Sequence, residues 1–266
     1  MEDVLAVIPA RFASTRLPGK VLAEVAGRPL VWHVWDRARQ ASLVADALVA
    51  TDDPRVAETL RAFDVPTVMT RADHACGTDR LAEVAERVAA GLLVNVQGDE
   101  PMIDPRTIDA VVRPLLDDPS LPMATARHRL DDPRDIADPS VVKVVCDASG
   151  RALYFSRSPI PFVRDGYRPA VRNTGEENNA GTAQPPTADF QLPASHWQHV
   201  GIYAYRRDAL IRFSQLPPTP LEQAERLEQL RALEHGWPIA VVETAHRSIG
   251  VDTPEDLSRV RRLLAA

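Results

Sequence analysis

Three cations and two hydroxyls crowd one short stretch near the start of the chain. From Val7 to Lys20 it reads VIPARFASTRLPGK, with Arg11, Arg16 and Lys20 as the cations and Ser14 and Thr15 as the hydroxyls. That set suits a polyphosphate, since arginine offers planar forked donors and lysine a compact charge. Gly19 lets a backbone approach a ligand closely. The stretch contains neither GxxxxGK[ST] nor GxGxxG, so it matches no standard nucleotide fingerprint. A solvated basic loop is the competing reading.

Carboxylates that could serve such a ligand lie far downstream. Asp99 in QGDEP is a hard oxygen donor of the kind Mg²⁺ takes, although Gly98-Asp99 is also ordinary turn chemistry. Asp252 in VDTPEDL divides the same way, between metal ligand and cap of a helix begun by Pro254. If Thr253 is the cap, Asp252 is released. In HACGTDR, Thr78 is placed to cap a helix whose amino end would favour an anion. LYFSR leaves Ser156 and Arg157 at a strand end. In HVGIYAYR, His199, Gly201, Tyr203 and Tyr205 alternate and share one face, either a wet interface or a wall for a sugar. Glu222, Glu225 and Glu228 recur along LEQAERLEQLRALEH. Their bland reading is a solvated acidic stripe paired with Arg226 and Arg231.

The elements that position these residues alternate over the first hundred positions. Val4–Pro9, Ala45–Ala50, Val65–Met69 and Leu92–Val96 read as strands. Helical periods fall at Pro29–Arg39, after Asp53-Pro54, and at Asp79–Ala89. Such alternation predicts a parallel, doubly wound sheet whose ligands sit outside the carboxyl ends of its strands. The rhythm changes after Leu121. Pro122–Leu130, Val141–Cys146, Ala152–Ser156, Val200–Tyr205 and Ile239–Glu243 read as strands of a mixed or antiparallel region. Leu221–Glu234 reads as one helix and Pro254–Leu264 as a closing helix. Arg164–Ser195 is rich in Gly, Pro, Asn and Thr and reads as a surface loop, with a substrate lid as the alternative.

Bulk properties narrow the class. The 266 residues suffice for one large domain or two small ones, and the net charge of -6 comes without any Lys/Arg block. Nucleic acid and anionic membranes are therefore not expected partners. Val4–Ala10 is far too short to span a bilayer, and the Met1 end shows no apolar signal segment. Cys76 and Cys146 lack CxxC spacing and read as reduced thiols. A cytoplasmic protein is expected.

Taken in order, IPARFASTRLPGKVL, ATDD, MTRADHACGTDRLAEV, VNVQGDEPMI, VKVV, ALYFSRSPIP, HVGIYAYR, LEQLRALEHG and GVDTPEDL resemble the 3-deoxy-manno-octulosonate (Kdo) cytidylyltransferases. The resemblance runs from residue 4 to about residue 260. RxxSxRLPGK also occurs in sialic-acid cytidylyltransferases, whereas QGDEP, LYFSR and HxGIYxYR point to the Kdo enzymes. It implies an α/β fold, a GT-A-like nucleotidyltransferase with a doubly wound mixed sheet and a smaller antiparallel subdomain. The expected organisation is a single domain over 1–266. It comprises a nucleotide-binding half (1–121), a sugar-binding and dimerisation region (122–250) and a closing helix (251–266).

The implied reaction joins CTP and Kdo to give CMP-Kdo and pyrophosphate with Mg²⁺, in a homodimer that serves lipopolysaccharide assembly. By the same resemblance Arg11, Ser14, Arg16 and Lys20 hold the triphosphate. Pro9, Ala10, Arg11, Arg71, Gly77 and Thr78 lie by the cytosine and ribose. Gln97, Arg157, His199, Tyr203 and Glu228 bind the sugar, with Arg157 on its carboxylate. Asp99 and Asp252 hold a metal, and the catalytic set is Lys20, Asp99, Asp252 and Arg11. His199 is a candidate base only where the metal does not suffice. Three rivals are an enzyme for another acidic sugar, a sugar-1-phosphate nucleotidyltransferase, and an idle nucleotide-binding module. The second of these usually carries a GxGTRL-type loop, where this chain has ARFASTRL.

Overall fold

A computed structural model of the chain describes residues 3–13, 17–74, 76–163 and 196–264. The first strand, β1 (Val4–Pro9), is buried along both faces, as its unbroken apolar run requires. A small hairpin, β2 (Glu24–Val25) and β3 (Arg28–Pro29), leads into α1 (Leu30–Ala38). There follow β4 (Asp46–Thr51), α2 (Pro54–Arg61), β5 (Thr67–Met69), α3 (Gly77–Arg87) and β6 (Leu92–Asn95). β1 pairs in parallel with β4 and β6, and β4 with β5. Their carboxyl ends thus open on one side, as the alternation predicts.

Three helices start by one device. Asp53 caps α2 by accepting from Arg55 N at 2.9 Å, with Pro54 at the first helical position. Asp104 does the same for α4 (Pro105–Asp117), and Asp132 for the short α5 (Pro133–Ala137). The sequence reading used this signal at Asp53 and passed over α4.

The second half joins the same sheet. β7 (Met123–Arg129) is followed by the antiparallel pair β8 (Lys143–Cys146) and β9 (Ala152–Ser156). β10 (Trp197–Arg206) runs antiparallel between β6 and β7, and is followed by α6 (Arg207–Gln215), which the sequence reading also missed. After α7 (Pro220–Glu225) and α8 (Gln229–Glu234) comes β11 (Ile239–Glu243), parallel to β7. The strand order is β11-β7-β10-β6-β1-β4-β5, with β8 and β9 as the smaller antiparallel flap.

Apolar side chains pack on both sheet faces. Ala6, Ile8 and Val94 meet Val34, Ile108 and Val112 on one face; Leu5, Val7 and Leu93 meet Leu81, Val84 and Phe213 on the other. A third cluster, Val25, Leu30, Val251, Leu257 and Val260, docks α9 (Pro254–Leu264) under the hairpin. That docking brings Asp252 to Lys20, 232 positions away in the chain.

The single helix expected over Leu221–Glu234 is two. Arg226 adopts φ 52, a left-handed conformation that ends α7. Buried Glu222 binds Arg231, whose Nε lies 2.8 Å from Oε2. In one continuous helix these residues would face opposite ways, about 13 Å apart along the axis. Folding the chain back at Arg226 lets a buried acid meet its base. Cys76 and Cys146 are both free thiols. Among the described residues, no helix is long and apolar enough to cross a membrane.

Candidate active site

The loops after β1 and β6 touch. A Cβ on Gly98 would lie 2.6 Å from Pro9 O, so only glycine lets the QGDEP turn seat against the end of β1. Glu100 N donates to Gln97 O at 3.1 Å, which closes the turn. The turn reading of Gly98-Asp99 and its role in presenting a carboxylate therefore coexist. Buried Ala10 anchors the next step through its N–H to Ala50 O at 2.9 Å.

Gly19 has φ 69, and its N–H donates to Phe12 O at 3.0 Å. Its left-handed turn starts a single helical turn, Lys20–Leu22. The ammonium of Lys20 then donates to Asp99 Oδ2 at 2.7 Å, Asp252 Oδ1 at 2.9 Å and Val251 O at 3.0 Å. Burial works against this charge. The bonds and charges of Asp99 and Asp252 more than offset it and hold Lys20 above the usual lysine pKa.

Asp252 is available because it does not cap α9. Thr253 Oγ1 accepts from Asp256 N at 3.2 Å, and Asp256 Oδ2 accepts from Thr253 N at 2.9 Å and Asp252 N at 3.1 Å. Val251 N donates to Asp99 O at 2.8 Å, tying the two acid-bearing loops together through backbone. Arg11, Lys20, Asp99 and Asp252 line one hollow of about 390 Å³, with Pro9 and Gly77 on its walls. Arg11 Nη2 donates to His74 O at 2.8 Å. Ser14 and Arg16 lie outside the described residues, as does the Arg164–Ser195 stretch.

Other expected members sit elsewhere. Arg71 is exposed, 3.2 Å from Asp73, and lines a different hollow with His74 and Glu83. Thr78 does not cap α3. Cys76 Sγ takes Asp79 N at 3.4 Å as the cap, and Thr78 donates from inside the helix to Glu228 Oε2 at 2.7 Å. Sequence reasoning also missed Arg80, which is fully buried and reaches Asp52 at 3.2 Å, bracing the TDD loop against α3.

A second hollow, about 260 Å³, adjoins the first and shares Gly77 and Gln97 with it. His199, Tyr203 and Tyr205 line it together, even though β10 bulges against β7 between Val200 and Tyr203. Their rings form a ladder: Phe155–His199 at 5.0 Å, His199–Tyr203 at 5.4 Å, Tyr203–Tyr205 at 5.9 Å. Thr125 donates its hydroxyl to Ile202 O at 2.7 Å, so its oxygen accepts from His199 Nε2 at 3.0 Å. That leaves His199 Nδ1 as an acceptor. Burial pushes the His199 pKa down to about 3 and raises Tyr203 well above the usual phenol range. Gln97 is braced by its Nε2 on Gly201 O at 3.0 Å.

The three glutamates do not form one stripe. Glu222 takes Arg231, Glu225 takes Ser156 Oγ at 2.6 Å and Arg157 N at 3.0 Å, and Glu228 takes Thr78 in the second hollow. Arg157 lines neither hollow. Its guanidinium donates to Glu225 O at 2.8 Å and Pro139 O at 2.9 Å, stitching the end of β9 to the α7–α8 turn. Among the described residues no three His, Cys, Asp or Glu cluster as a metal site, so Asp99 and Asp252 stand as a pair.

Comparison with known proteins places this arrangement. Residues 5–245 match the family model described as cytidylyltransferase. A 3-deoxy-manno-octulosonate cytidylyltransferase of Geobacter sulfurreducens is 51% identical over 97% of this chain and 98% of its own. One from Solibacter usitatus is 51% identical over 99% of this chain and 95% of its own. A solved structure of CMP:2-keto-3-deoxy-manno-octonic acid synthetase complexed with CTP superposes with a TM-score of 0.85 at 46% identity, covering 99% of this chain and 98% of that one. With half of its residues shared end to end on a common fold, the chain belongs to the 3-deoxy-manno-octulosonate cytidylyltransferase family.

Proposed function

We propose that the protein activates Kdo with CTP. The anomeric hydroxyl of Kdo attacks the α-phosphorus, a new O–P bond forms, and pyrophosphate departs in line as CMP-Kdo is made. The hydroxyl proton passes to solvent. Full-length kinship to Kdo cytidylyltransferases supports this reading, and so does the relative complexed with CTP. The observation that carries it is the pair of joined hollows: a charged one around Lys20, Asp99 and Asp252, and a ring-lined one around His199 and Tyr203 that also holds Glu228.

Nucleotidyl transfer needs positioning and charge neutralisation more than covalent chemistry by the protein. Lys20 and Arg11 hold the triphosphate, with Ser14 and Arg16 from the same loop. Pro9, Ala10 and Gly77 offer close backbone to the cytosine and ribose. Gln97, His199, Tyr203 and Glu228 hold the sugar, with neutral His199 accepting a hydroxyl hydrogen bond. A histidine held at a pKa of about 3 is a poor proton acceptor near neutral pH, so it orients and does not act as the base. Arg71 and Arg157, engaged elsewhere, are left out of the reaction.

Asp99 and Asp252 converge on one point, now taken by the Lys20 ammonium. Two carboxylates suit Mg²⁺, which takes few protein ligands and completes its shell with water and phosphate oxygens. The pair therefore fits the cofactor. When bound, Mg²⁺ supplies Lewis acidity to the phosphate and lowers the pKa of the attacking hydroxyl. Asp99 and Asp252 would hold the metal once Lys20 turned from them toward the phosphates. We take the enzyme to be a cytoplasmic homodimer.

Pyrophosphate release from CTP, measured with and without Kdo and with and without Mg²⁺, tests the reading. Release that needs all three is expected. Release with a sialic acid but not with Kdo would replace the sugar. CTP binding without release under any condition would reduce the protein to a nucleotide-binding module.

A further inference from the structure

One face of α3 holds the segment that follows β5. Arg80, Glu83 and Arg87 stand at i, i+3 and i+7 and share that face. Arg87 donates from Nη1 to Met69 O at 2.8 Å. The guanidinium of Arg80, fully buried, donates to the Thr70 hydroxyl and reaches Arg71 O at 3.5 Å. Glu83 takes the far half of the segment. Its Oε2 accepts from Arg71 N at 3.0 Å and from Nε2 of the His74 ring, and its Oε1 pairs with Arg87.

The bond between His74 and Glu83 is shut away from water, at side-chain exposures of 5% and 9%. A carboxylate only accepts, so the ring donates from Nε2. Burial works against the charge of Glu83, yet the bonds from His74 and Arg71 N and the charge of Arg87 hold its carboxyl below the usual glutamate pKa. A buried acid stays ionised only where donors meet it, and His74, Arg71 N and Arg87 all do. His74 carries this constraint to the charged hollow, for its carbonyl oxygen accepts from Arg11 Nη2 at 2.8 Å. Arg11 lines that hollow, whereas Glu83 and His74 line a separate one.

We propose that Glu83 is a positioning residue for the nucleotide: by clamping the His74 ring it fixes the carbonyl that aims the Arg11 guanidinium at the triphosphate. The inference rests on the placement of the triphosphate at Arg11 in the reading above. Arginine grips phosphate through a planar fork, so a fork that turns loses its second hydrogen bond. Glu83 itself touches neither nucleotide nor sugar in this scheme.

A double-mutant cycle tests the coupling, with the CTP dissociation constant read by calorimetry. His74→Leu removes the ring donor and leaves Glu83 its bonds to Arg71 N and Arg87, while Glu83→Ala removes the acid. Each is expected to weaken CTP roughly 10-fold, within the range for residues of one hydrogen-bond network. The KM for Kdo at saturating CTP should keep its wild-type value. In an Arg11→Ala background neither substitution should weaken CTP further, because the group they aim is gone. Glu83→Gln keeps an amide oxygen for His74 and Arg71 N, so it should bind CTP like the wild type while melting earlier for want of the Arg87 pair. Equal losses with and without Arg11 would overturn the proposal and leave Glu83 as an acid that only stabilises its loop. Wild-type CTP affinity in His74→Leu would overturn it too, and that variant decides the matter where Glu83→Ala does not fold. Wild-type pyrophosphate release with CTP, Kdo and Mg²⁺ is run alongside. Its absence would sink the activity itself, whereas the cycle reads CTP binding alone and sinks only the role of Glu83.

Discussion

The two hollows that share Gly77 and Gln97 meet their ligands in opposite states. Around Lys20 the charges already satisfy one another, at side-chain exposures of 13% for Lys20, 32% for Asp99 and 41% for Asp252. Around His199 and Tyr203 the wall is a ladder of buried, uncharged rings, and the Glu228 carboxylate is held by the Thr78 hydroxyl. On the proposed reading, binding on the charged side is an exchange, in which Lys20 leaves two carboxylates for phosphate oxygens. On the same reading, binding on the ring-lined side rests on new hydrogen bonds to His199, Tyr203 and Glu228. The first gives charge control at the reacting phosphorus. The second gives selectivity, because buried groups built for hydroxyls reject ligands that lack them.

The sharpest way to break this contrast is to remove the carboxylates. Asp99→Asn and Asp252→Asn should each lower turnover roughly 10²- to 10³-fold, the range for losing a charge-stabilising group at a reaction centre. Their melting temperatures should stay close to wild type, because partly exposed ion pairs add little to stability. Near-normal turnover in both would end the distinction between the hollows.

Lys20→Met comes next. Loss of the ammonium should weaken CTP roughly 10- to 100-fold, as for truncating one partner of a close charge pair. It should also leave Asp99 and Asp252 facing each other without a counter-charge, so that Mn²⁺ binds the nucleotide-free variant more tightly than the nucleotide-free wild type. Electron paramagnetic resonance of free and bound Mn²⁺ reads this directly. A variant altered only in its KM for Kdo would put Lys20 on the wrong side of the comparison.

Arg157→Ala probes the border of the ring-lined side. The side chain holds two backbone carbonyls at Glu225 and Pro139. Its loss should therefore lower stability by about 1–3 kcal/mol, seen in thermal or urea unfolding, with little change in the KM for Kdo. An unchanged stability with a tenfold rise in that KM would return Arg157 to the sugar carboxylate, the role that family resemblance implies.

Legibility in the sequence followed the range of the interactions. Runs such as LLVNV and the Asp-Pro starts declared β6 and α2 because their signals are local. Thr253 as the cap, in place of Asp252, was legible as one of two options. The break at Arg226 was not, since a left-handed arginine has no local signature and the Glu222–Arg231 pair that compels it is tertiary. The charges of Arg71 and Arg157 were visible but not their partners, Asp73 for the one and the Glu225 and Pro139 carbonyls for the other. Cys76 displaced Thr78 as cap because a thiol cap is too weak a preference to read from sequence.

The smallest expected effect concerns His199, and it separates a buried orienting group from a base. Burial holds its folded pKa to about 3, while the unfolded chain takes up that proton near the ordinary value of 6.5. The unfolded state therefore binds more protons between those values, so stability is fully present above pH 6.5 and is lost as pH falls toward 3. His199→Gln removes this contribution, and its melting temperature should fall less steeply than that of the wild type over the upper part of that window, above the range where carboxylates titrate. Above pH 6.5 the imidazole is neutral in the wild type, and the rings beside it, Phe155 and Tyr203, carry no charge there either. The pH–rate profile of His199→Gln should thus keep its wild-type shape from pH 6.5 to 8.5, at a lower overall rate from the lost hydrogen bond to the sugar. If an acid limb disappeared from that profile in the variant, His199 would be taking the proton after all, and the ring-lined hollow would have to be assigned part of the chemistry now placed beside Lys20.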